Sequence, residues 1–453
     1  MNERKLFGTD GIRGLANAGH MTPEIAFRIG AAITFYAKTH ATHVPRVLIG
    51  KDTRLSGYLF ETALSSGVCA MGGRVTLCGP LPTPAIAHLA MSMRADMGVV
   101  ISASHNPYQD NGIKIFGADG FKLPDSVEAE LETLVFGDKI DRSRPTKTGV
   151  GRAERLDDAS GRYVAFVKSS FPQDLTLDGV RIVVDAANGA AYKTAPLVFS
   201  ELGASTHAIG CKPDGKNINH RVGALHPEAC ASEVKKRKAD MGIALDGDAD
   251  RVIVVDENGD VVNGDTLMAL CATEMIRERL LNKNTLVATV MSNIGLEIAM
   301  KRAGGKLLRT DVGDRYVVET MRERNLNFGG EQSGHLIFLD HATTGDGLIA
   351  AMQVLSIMKK KDQPLSELAK SAMDHFPQVL LNATFPKKRS LSALPKTQSL
   401  IKQTEAKLGA DGRVLVRWSG TEPKLRVMIE GENEKTIVAM AERIVDQAKK
   451  EYA

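Results

Sequence analysis

Asp246, Asp248 and Asp250 stand at alternate positions in Asp246-Gly247-Asp248-Ala249-Asp250-Arg251, directly after an apolar run. Alternate side chains of an extended or looping backbone share a face, so three hard oxygen donors can converge on one cation. Mg²⁺ suits such a set, because it takes oxygen ligands and shares its shell with substrate phosphates. A calcium loop fits less well, since residues 251–255 read as an apolar strand rather than as loop. A second candidate is Val99-Val100-Ile101-Ser102-Ala103-Ser104-His105-Asn106-Pro107, where an apolar strand enters a polar turn. Such a strand end presents a hydroxyl with little freedom, as the C-terminal edge of a parallel sheet does at its crevice. Read alone, the turn is as compatible with a capping serine as with a nucleophile. Lys114 is close enough in sequence for the same loop to return it to that hydroxyl.

Three further runs carry usable groups. Arg417-Trp418-Ser419-Gly420-Thr421, with Arg426, offers two hydroxyls, a glycine that admits close backbone approach, and guanidinium groups able to bind phosphate in bidentate fashion. Gly330-Glu331-Gln332-Ser333-Gly334-His335 places a carboxylate and a hydroxyl between glycines, which suits neighbouring sugar hydroxyls and equally a tight turn. Phe7-Gly8-Thr9-Asp10-Gly11-Ile12-Arg13-Gly14 is glycine-rich, but it has neither Walker A spacing nor the dinucleotide fingerprint, so nucleotide binding is not supported. Arg13 within it can face a phosphate. His105 and His335 are candidate proton carriers or structural histidines.

Strand-length apolar runs at 46–50, 98–101, 180–184, 242–245, 252–255 and 286–290 alternate with amphipathic stretches such as 22–38 and 59–71. That alternation predicts βαβ units around mainly parallel sheets. Ala95-Asp96-Met97-Gly98 and Ala239-Asp240-Met241-Gly242 precede two of the strands. Superposing them sets Ser104 opposite Asp248 and matches the upstream strand-turn segments, which points to duplicated units. A third unit starts near residue 284 and leads into the Glu331 turn. After Pro377 the strands shorten, and a long amphipathic helix begins near Glu434. The expectation is three related mixed-sheet α/β domains, 1–155, 156–258 and 259–372, and a smaller α+β domain, 373–453.

Bulk properties set outer bounds. The 453 residues give ample chain for several cores, and 43% hydrophobic with 25% charged residues is ordinary for globular protein. A net charge of +4 does not argue for nucleic acid or membranes as partners. The five cysteines are scattered and lack CxxC spacing, which fits reduced thiols. No apolar stretch follows residues 1–5, so the expected location is the cytoplasm.

Taken in order, the Ser104, Asp246, Glu331 and Arg417 loops resemble those of the α-D-phosphohexomutase superfamily over essentially the whole chain. Phe7-Gly8-Thr9-Asp10-Gly11-Ile12-Arg13-Gly14, Gly313-Asp314-Arg315-Tyr316-Val317 and Glu331-Gln332-Ser333 are similar to its bacterial phosphoglucosamine mutase branch. The resemblance implies four domains lining a central cleft and Mg²⁺-dependent conversion of glucosamine 6-phosphate to glucosamine 1-phosphate, feeding UDP-N-acetylglucosamine and cell-wall precursor synthesis. It implies Ser104, not Ser102, as the phosphoserine, with Ser104, Asp246, Asp248 and Asp250 around one Mg²⁺. Lys114 and His105 are candidate general bases, with Lys114 favoured by the resemblance, and Arg13 joins them in the catalytic group. Arg251, Glu331 and Ser333 would hold the sugar, and Arg417, Ser419, Gly420, Thr421 and Arg426 the non-reacting phosphate. Glucosamine or glucose 1,6-bisphosphate is the implied intermediate or activator, a small sugar phosphate the implied partner, and a homodimer is left open. Trp418 stands where a proline or small polar residue is more usual. The competing readings are a phosphomannomutase or phosphoglucomutase, a non-catalytic sugar-phosphate binder, and a metal-dependent phosphatase.

Overall fold

The computed structural model describes residues 6–8, 10–419 and 422–452. The first sheet holds β1 (Ile12–Leu15), β2 (Arg46–Lys51), β3 (Arg74–Pro80), β4 (Met97–Ile101), β5 (Asp110–Gly117) and β6 (Arg152–Arg155), in the order β1-β5-β4-β2-β3-β6. The second holds β7 (Arg181–Asp185), β8 (Ser205–Ile209), β9 (Met241–Leu245), β10 (Val252–Asp256) and β11 (Val261–Val262), in the order β11-β10-β9-β7-β8. The third holds β12 (Thr285–Thr289), β13 (Lys306–Thr310), β14 (Phe328–Gly330) and β15 (Leu336–Phe338), in the order β13-β12-β14-β15. A fourth, antiparallel sheet of β16 (Gln378–Thr384), β18 (Lys424–Glu430) and β17 (Arg413–Trp418) is covered by the helix Glu434–Tyr452.

Superposed by order, β3-β2-β4-β5, β8-β7-β9-β10 and β13-β12-β14-β15 are one motif used three times. In each, parallel strands are followed by an antiparallel return strand. The sheets are therefore mixed, with antiparallel pairs at the strand that follows each polar turn. The second sheet also runs past the expected division at 258, because the turn after β10 brings Val262 back to pair with Val254.

The repeated Ala-Asp-Met-Gly has a physical cause. Asp96 accepts the backbone N–H of Arg46 at 2.7 Å, and Asp240 accepts that of Arg181 at 2.8 Å, so each aspartate fixes the start of the neighbouring strand. A Cβ on Gly98 would come within 3.2 Å of Ile86, and one on Gly242 within 2.7 Å of Cys230. Glycine lets a helix lie directly on the strand at both places. The register follows, Val47 opposite Met97 and Ile182 opposite Met241.

Candidate active site

The Ser104 turn is held from two domains. Ser102 Oγ donates to Asp52 at 2.6 Å and accepts the Ser104 N–H at 2.9 Å. The fully buried Arg54 pairs with Asp52 and donates to the carbonyls of Ser104 at 3.1 Å and Asn106 at 2.5 Å. Asn219, from the second domain, donates to the same two carbonyls at 2.9 and 3.2 Å. These bonds hold Ser104 at φ 50°, a left-handed conformation that persists only where its surroundings over-determine it. The result is aim: Ser104 Oγ donates to Asp246 Oδ2 at 2.5 Å.

Asp246, Asp248 and Asp250 follow β9, and one oxygen from each lies within 4.8 Å of the others. All three are buried. Asp248 accepts from Thr83 Oγ1 at 2.6 Å and Lys114 Nζ at 2.9 Å, and Asp250 accepts from Lys114 at 3.1 Å. Asp248 Oδ1 is buried with no hydrogen-bond partner among the described residues, and Asp250 Oδ1 has no hydrogen bond, only longer ion-pair contacts. Burial, then the charges of Asp250 and Asp248, hold the Asp246 carboxyl well above its ordinary range. Buried, unpartnered carboxylate oxygens are costly unless a cation meets them. The donor set, the oxygens without hydrogen bonds and the excess of negative charge all fit a divalent metal.

Lys114 reaches this cluster from β5, paired opposite Val100 of β4, rather than from the connecting loop. Burial opposes its charge, but Asp10, Asp248 and Asp250 outweigh burial and keep it an ammonium. His105 Nδ1 lies 3.3 Å from Ser104 Oγ. Burial, then Arg251 and Arg13, push its imidazole down to about 4, so it is neutral at pH 7. Arg13, on β1, is paired to Asp10.

Six groups close a ring that sequence reading missed in part. Lys114 contacts Asp10 at 3.2 Å and Asp250 at 3.1 Å, His335 lies 3.6 Å from Asp250 and 3.5 Å from Asp314, and Lys122 bridges Asp314 at 2.6 Å and Asp10 at 2.5 Å. The charges alternate around the ring and join three domains. Burial works against a charged His335, but Asp250 and Asp314 raise its affinity for a proton. Arg251 stands 3.9 Å from Asp250, and Val252 N–H donates to the Gly334 carbonyl at 3.0 Å, tying the aspartate turn to the Glu331 turn. Glu331 accepts the Gly313 N–H at 3.1 Å, while Ser333 is exposed at the tip of its turn.

Arg417 and Arg426 form a separate cluster, opposite each other on β17 and β18. Arg426 reaches Ser419 Oγ at 3.5 Å, and Arg417 reaches Met291 Sδ at 3.9 Å. No hydrogen bond or ion pair joins this cluster to Ser104 among the described residues. Gly420 and Thr421 lie outside the described residues.

Family models match the whole architecture: phosphoglucomutase/phosphomannomutase alpha/beta/alpha domain I over residues 4–141, domain II over 161–259, domain III over 263–376, and the C-terminal domain over 380–447. A phosphoglucosamine mutase of Sorangium cellulosum is 62% identical over 450 residues, covering 99% of this chain and 94% of the relative. One from Pelobacter propionicus is 56% identical, covering 99% and 98%. The chain belongs to the phosphohexomutase family, in its phosphoglucosamine mutase branch. Among solved phosphohexomutases, a phosphoglucomutase/phosphomannomutase family protein of Burkholderia thailandensis has TM-score 0.81 at 25% identity, covering 98% of this chain and 97% of that one. The N-acetylphosphoglucosamine mutase of Aspergillus fumigatus, solved with GlcNAc-6P and magnesium, shares the fold at TM-score 0.71 and 16% identity, covering 100% and 96%. Among the described residues no helix is long and apolar enough to cross a membrane.

Proposed function

We propose that the chain is an intramolecular phosphotransferase that interconverts glucosamine 6-phosphate and glucosamine 1-phosphate, with Ser104 as phosphoryl carrier. The observation that carries this reading is the 2.5 Å hydrogen bond from Ser104 Oγ to Asp246, which sets a strand-end hydroxyl against a carboxylate cluster ready for a cation. A phosphorylated Ser104 carries about −1.5 to −2 charges at neutral pH. One Mg²⁺ per subunit, held by Asp246, Asp248 and Asp250 with the Ser104 phosphate, would supply neutralisation of that charge during transfer.

The Ser104 phosphoryl group passes to O1 of glucosamine 6-phosphate, and the O1 proton leaves to a base. The resulting glucosamine 1,6-bisphosphate turns over, and its 6-phosphoryl group returns to Ser104, releasing glucosamine 1-phosphate. Glucose 1,6-bisphosphate can charge Ser104 in the same way, which accounts for a role as activator. His105 is neutral and beside Ser104, so it is the group in a proton-accepting state, and a phosphate dianion next to it would raise its lowered proton affinity. Lys114 is held charged, which suits it to offset the transferring group, with Arg13 near by through Asp10. Glu331, Ser333 and Arg251 hold the sugar. Arg417, Ser419, Gly420, Thr421 and Arg426 grip the phosphate that is not reacting, in either orientation. The reading divides the chain into a phosphoserine domain, a metal domain, a sugar domain and a phosphate domain, and places the enzyme in the cytoplasm.

Replacing Ser104→Ala should abolish both phosphate incorporation and mutase turnover. Turnover on glucosamine 6-phosphate should exceed that on glucose 6-phosphate and mannose 6-phosphate. Near-normal turnover without Ser104, or a preference for mannose 6-phosphate, would sink the reading, and release of free phosphate would point to a hydrolase.

A further inference from the structure

A cavity of about 680 Å³ opens beside His105, between the turn at Tyr108 and a loop of the second domain that carries Asp214, Lys216, His220 and Arg221. Of its lining residues only His105 enters the reaction described above. Its rim carries two cations, Lys216 and Arg221, against one carboxylate, Asp214. Lys216 and Arg221 are exposed and make no ion pair among the described residues. The one carboxylate that lines it, Asp214, is turned back on its own loop, where Oδ1 accepts the N–H groups of Lys216 at 2.7 Å and Asn217 at 2.9 Å.

The loop is also rigid and fixed to the reacting turn. Gly215 O accepts the Leu55 N–H at 2.9 Å, the Asn219 N–H donates to Ala187 O at 2.9 Å, and the Asn219 side chain holds the Ser104 and Asn106 carbonyls. Asn219 and Arg221 both sit in the left-handed region, at φ 59° and 57°. Positive charge on a fixed wall that also includes His105, the residue after Ser104, attracts an anion with little reorganisation.

We infer that Lys216 and Arg221 form a second anion-holding wall, which retains the sugar bisphosphate by one of its phosphates while the intermediate turns between its two orientations. The inference rests on the proposed mutase reading. A bisphosphate that has just left Ser104 has to release its grip at one end before the other end can enter. The wall supplies contact during that exchange, so it acts on the intermediate more than on the monophosphate. Lys216 and Arg221 are positioning residues in this scheme and touch no transferring atom.

The test uses the full-length enzyme carrying ³²P on Ser104, mixed with glucosamine 6-phosphate, with the labelled bisphosphate that escapes into solution measured per turnover. In Lys216→Gln/Arg221→Asn, where asparagine tolerates the left-handed backbone, escape should rise about three- to ten-fold, as loss of two exposed charge contacts to a phosphate predicts. The demand for added glucose 1,6-bisphosphate should rise with it, while KM for glucosamine 6-phosphate moves less than two-fold. Raising ionic strength should increase escape from the unaltered enzyme more steeply than from the double variant. Lys216→Arg, which keeps the charge, should behave as the unaltered enzyme. Equal escape from variant and unaltered enzyme overturns the inference, as does a parallel rise in KM, which would make the wall a general anion collector. If no ³²P passes from Ser104 of the unaltered enzyme to the sugar phosphate, the mutase reading falls and takes this inference with it.

Discussion

The first three domains and the fourth are held together by different means. One apolar core runs without a break from Leu48 and Phe116 through Val184 and Leu245 to Leu286 and Leu355. Buried polar contacts cross the same boundaries: Asn219 to the Ser104 carbonyl, Thr83 to Asp248, and Tyr163 to Asp346 at 2.8 Å. The fourth domain keeps its own core, Leu425, Val427 and Ile429 against Ile437 and Ile444. It meets the third domain through polar contacts: Arg413 donates to the carbonyls of Val290 at 2.9 Å and Ser292 at 3.0 Å, Gln378 reaches Met291, Asn293 bonds the Phe376 backbone, and Arg302 pairs with Asp374. Ser104 and the three aspartates therefore sit among domains that share a core, and the Arg417–Arg426 cluster, proposed to grip the phosphate, sits on a separately packed body. That division suits a reaction that transfers at one fixed point but must accept its substrate in two orientations.

The sharpest way to break the comparison is to loosen the rigid half. Arg54→Met strips the guanidinium from the Ser104 and Asn106 carbonyls and leaves the buried Asp52 without its cation. Breaking a buried pair from one side costs about 3–5 kcal/mol. Denaturant unfolding should show that loss, and turnover should fall about a hundred-fold or more as Ser104 leaves its left-handed turn. Normal turnover in a folded Arg54→Met protein would show that the turn holds itself.

A second prediction concerns the seam between the second and third domains. Asp346 caps the helix Gly347–Lys361 by accepting the N–H groups of Leu348 and Ile349, and it also accepts the Tyr163 hydroxyl. Burial raises its carboxyl to about 6 from the ordinary 3.8. Between those values the folded protein binds a proton that the unfolded chain releases. The associated stability is present below the unfolded value and is lost as pH rises through about 6. Asparagine keeps the cap and carries no charge. Asp346→Asn should gain on the unaltered protein as pH rises from about 4 to about 6, reaching at most roughly 3 kcal/mol, and hold that gain above. A difference independent of pH would place the Asp346 proton elsewhere.

How much of this was legible in the sequence depends on distance along the chain. Ser104, the aspartate turn and the repeat were readable because strand, turn and chemistry lie within a few residues of one another. The three related domains and the terminal helix followed from the same local periodicity. The Asp10–Lys122–Asp314 bridge was not legible, since it joins residues in two domains that only the fold brings together. Arg54 lay inside a recognised turn, yet nothing local shows that its guanidinium folds back onto the Ser104 carbonyls. Lys114 was found for the right neighbourhood by the wrong route, since it arrives on β5.

On the looser side, Arg417 and Arg426 face each other across β17 and β18 with like charge. Burial, then Arg426, lowers the Arg417 affinity for its proton. Like charges directly opposite destabilise a sheet, and an anion between them would relieve it. Arg417→Ala should leave the melting temperature unchanged or raise it, while KM for glucosamine 6-phosphate rises about 10- to 100-fold, the worth of one charge-assisted contact. Loss of stability together with loss of affinity would make Arg417 part of the scaffold instead.

The smallest effect expected is at Trp418, which follows Arg417 and precedes Ser419 in sequence. Its ring meets Phe385 edge-on with centroids 5.4 Å apart, and its Nε1 is buried with no partner among the described residues. An orphaned donor costs about 1–3 kcal/mol, so Trp418→Phe removes that cost while giving up a comparable amount of apolar contact. The two changes nearly cancel: melting temperature should move by about 2 °C or less, and KM by less than about two-fold. A KM shift beyond about five-fold would mean that the indole, not the paired arginines, sets the geometry of the phosphate loop. The fourth domain would then be as over-determined as the Ser104 turn, and the contrast between a rigid donor and an adaptable grip would fail at its looser end.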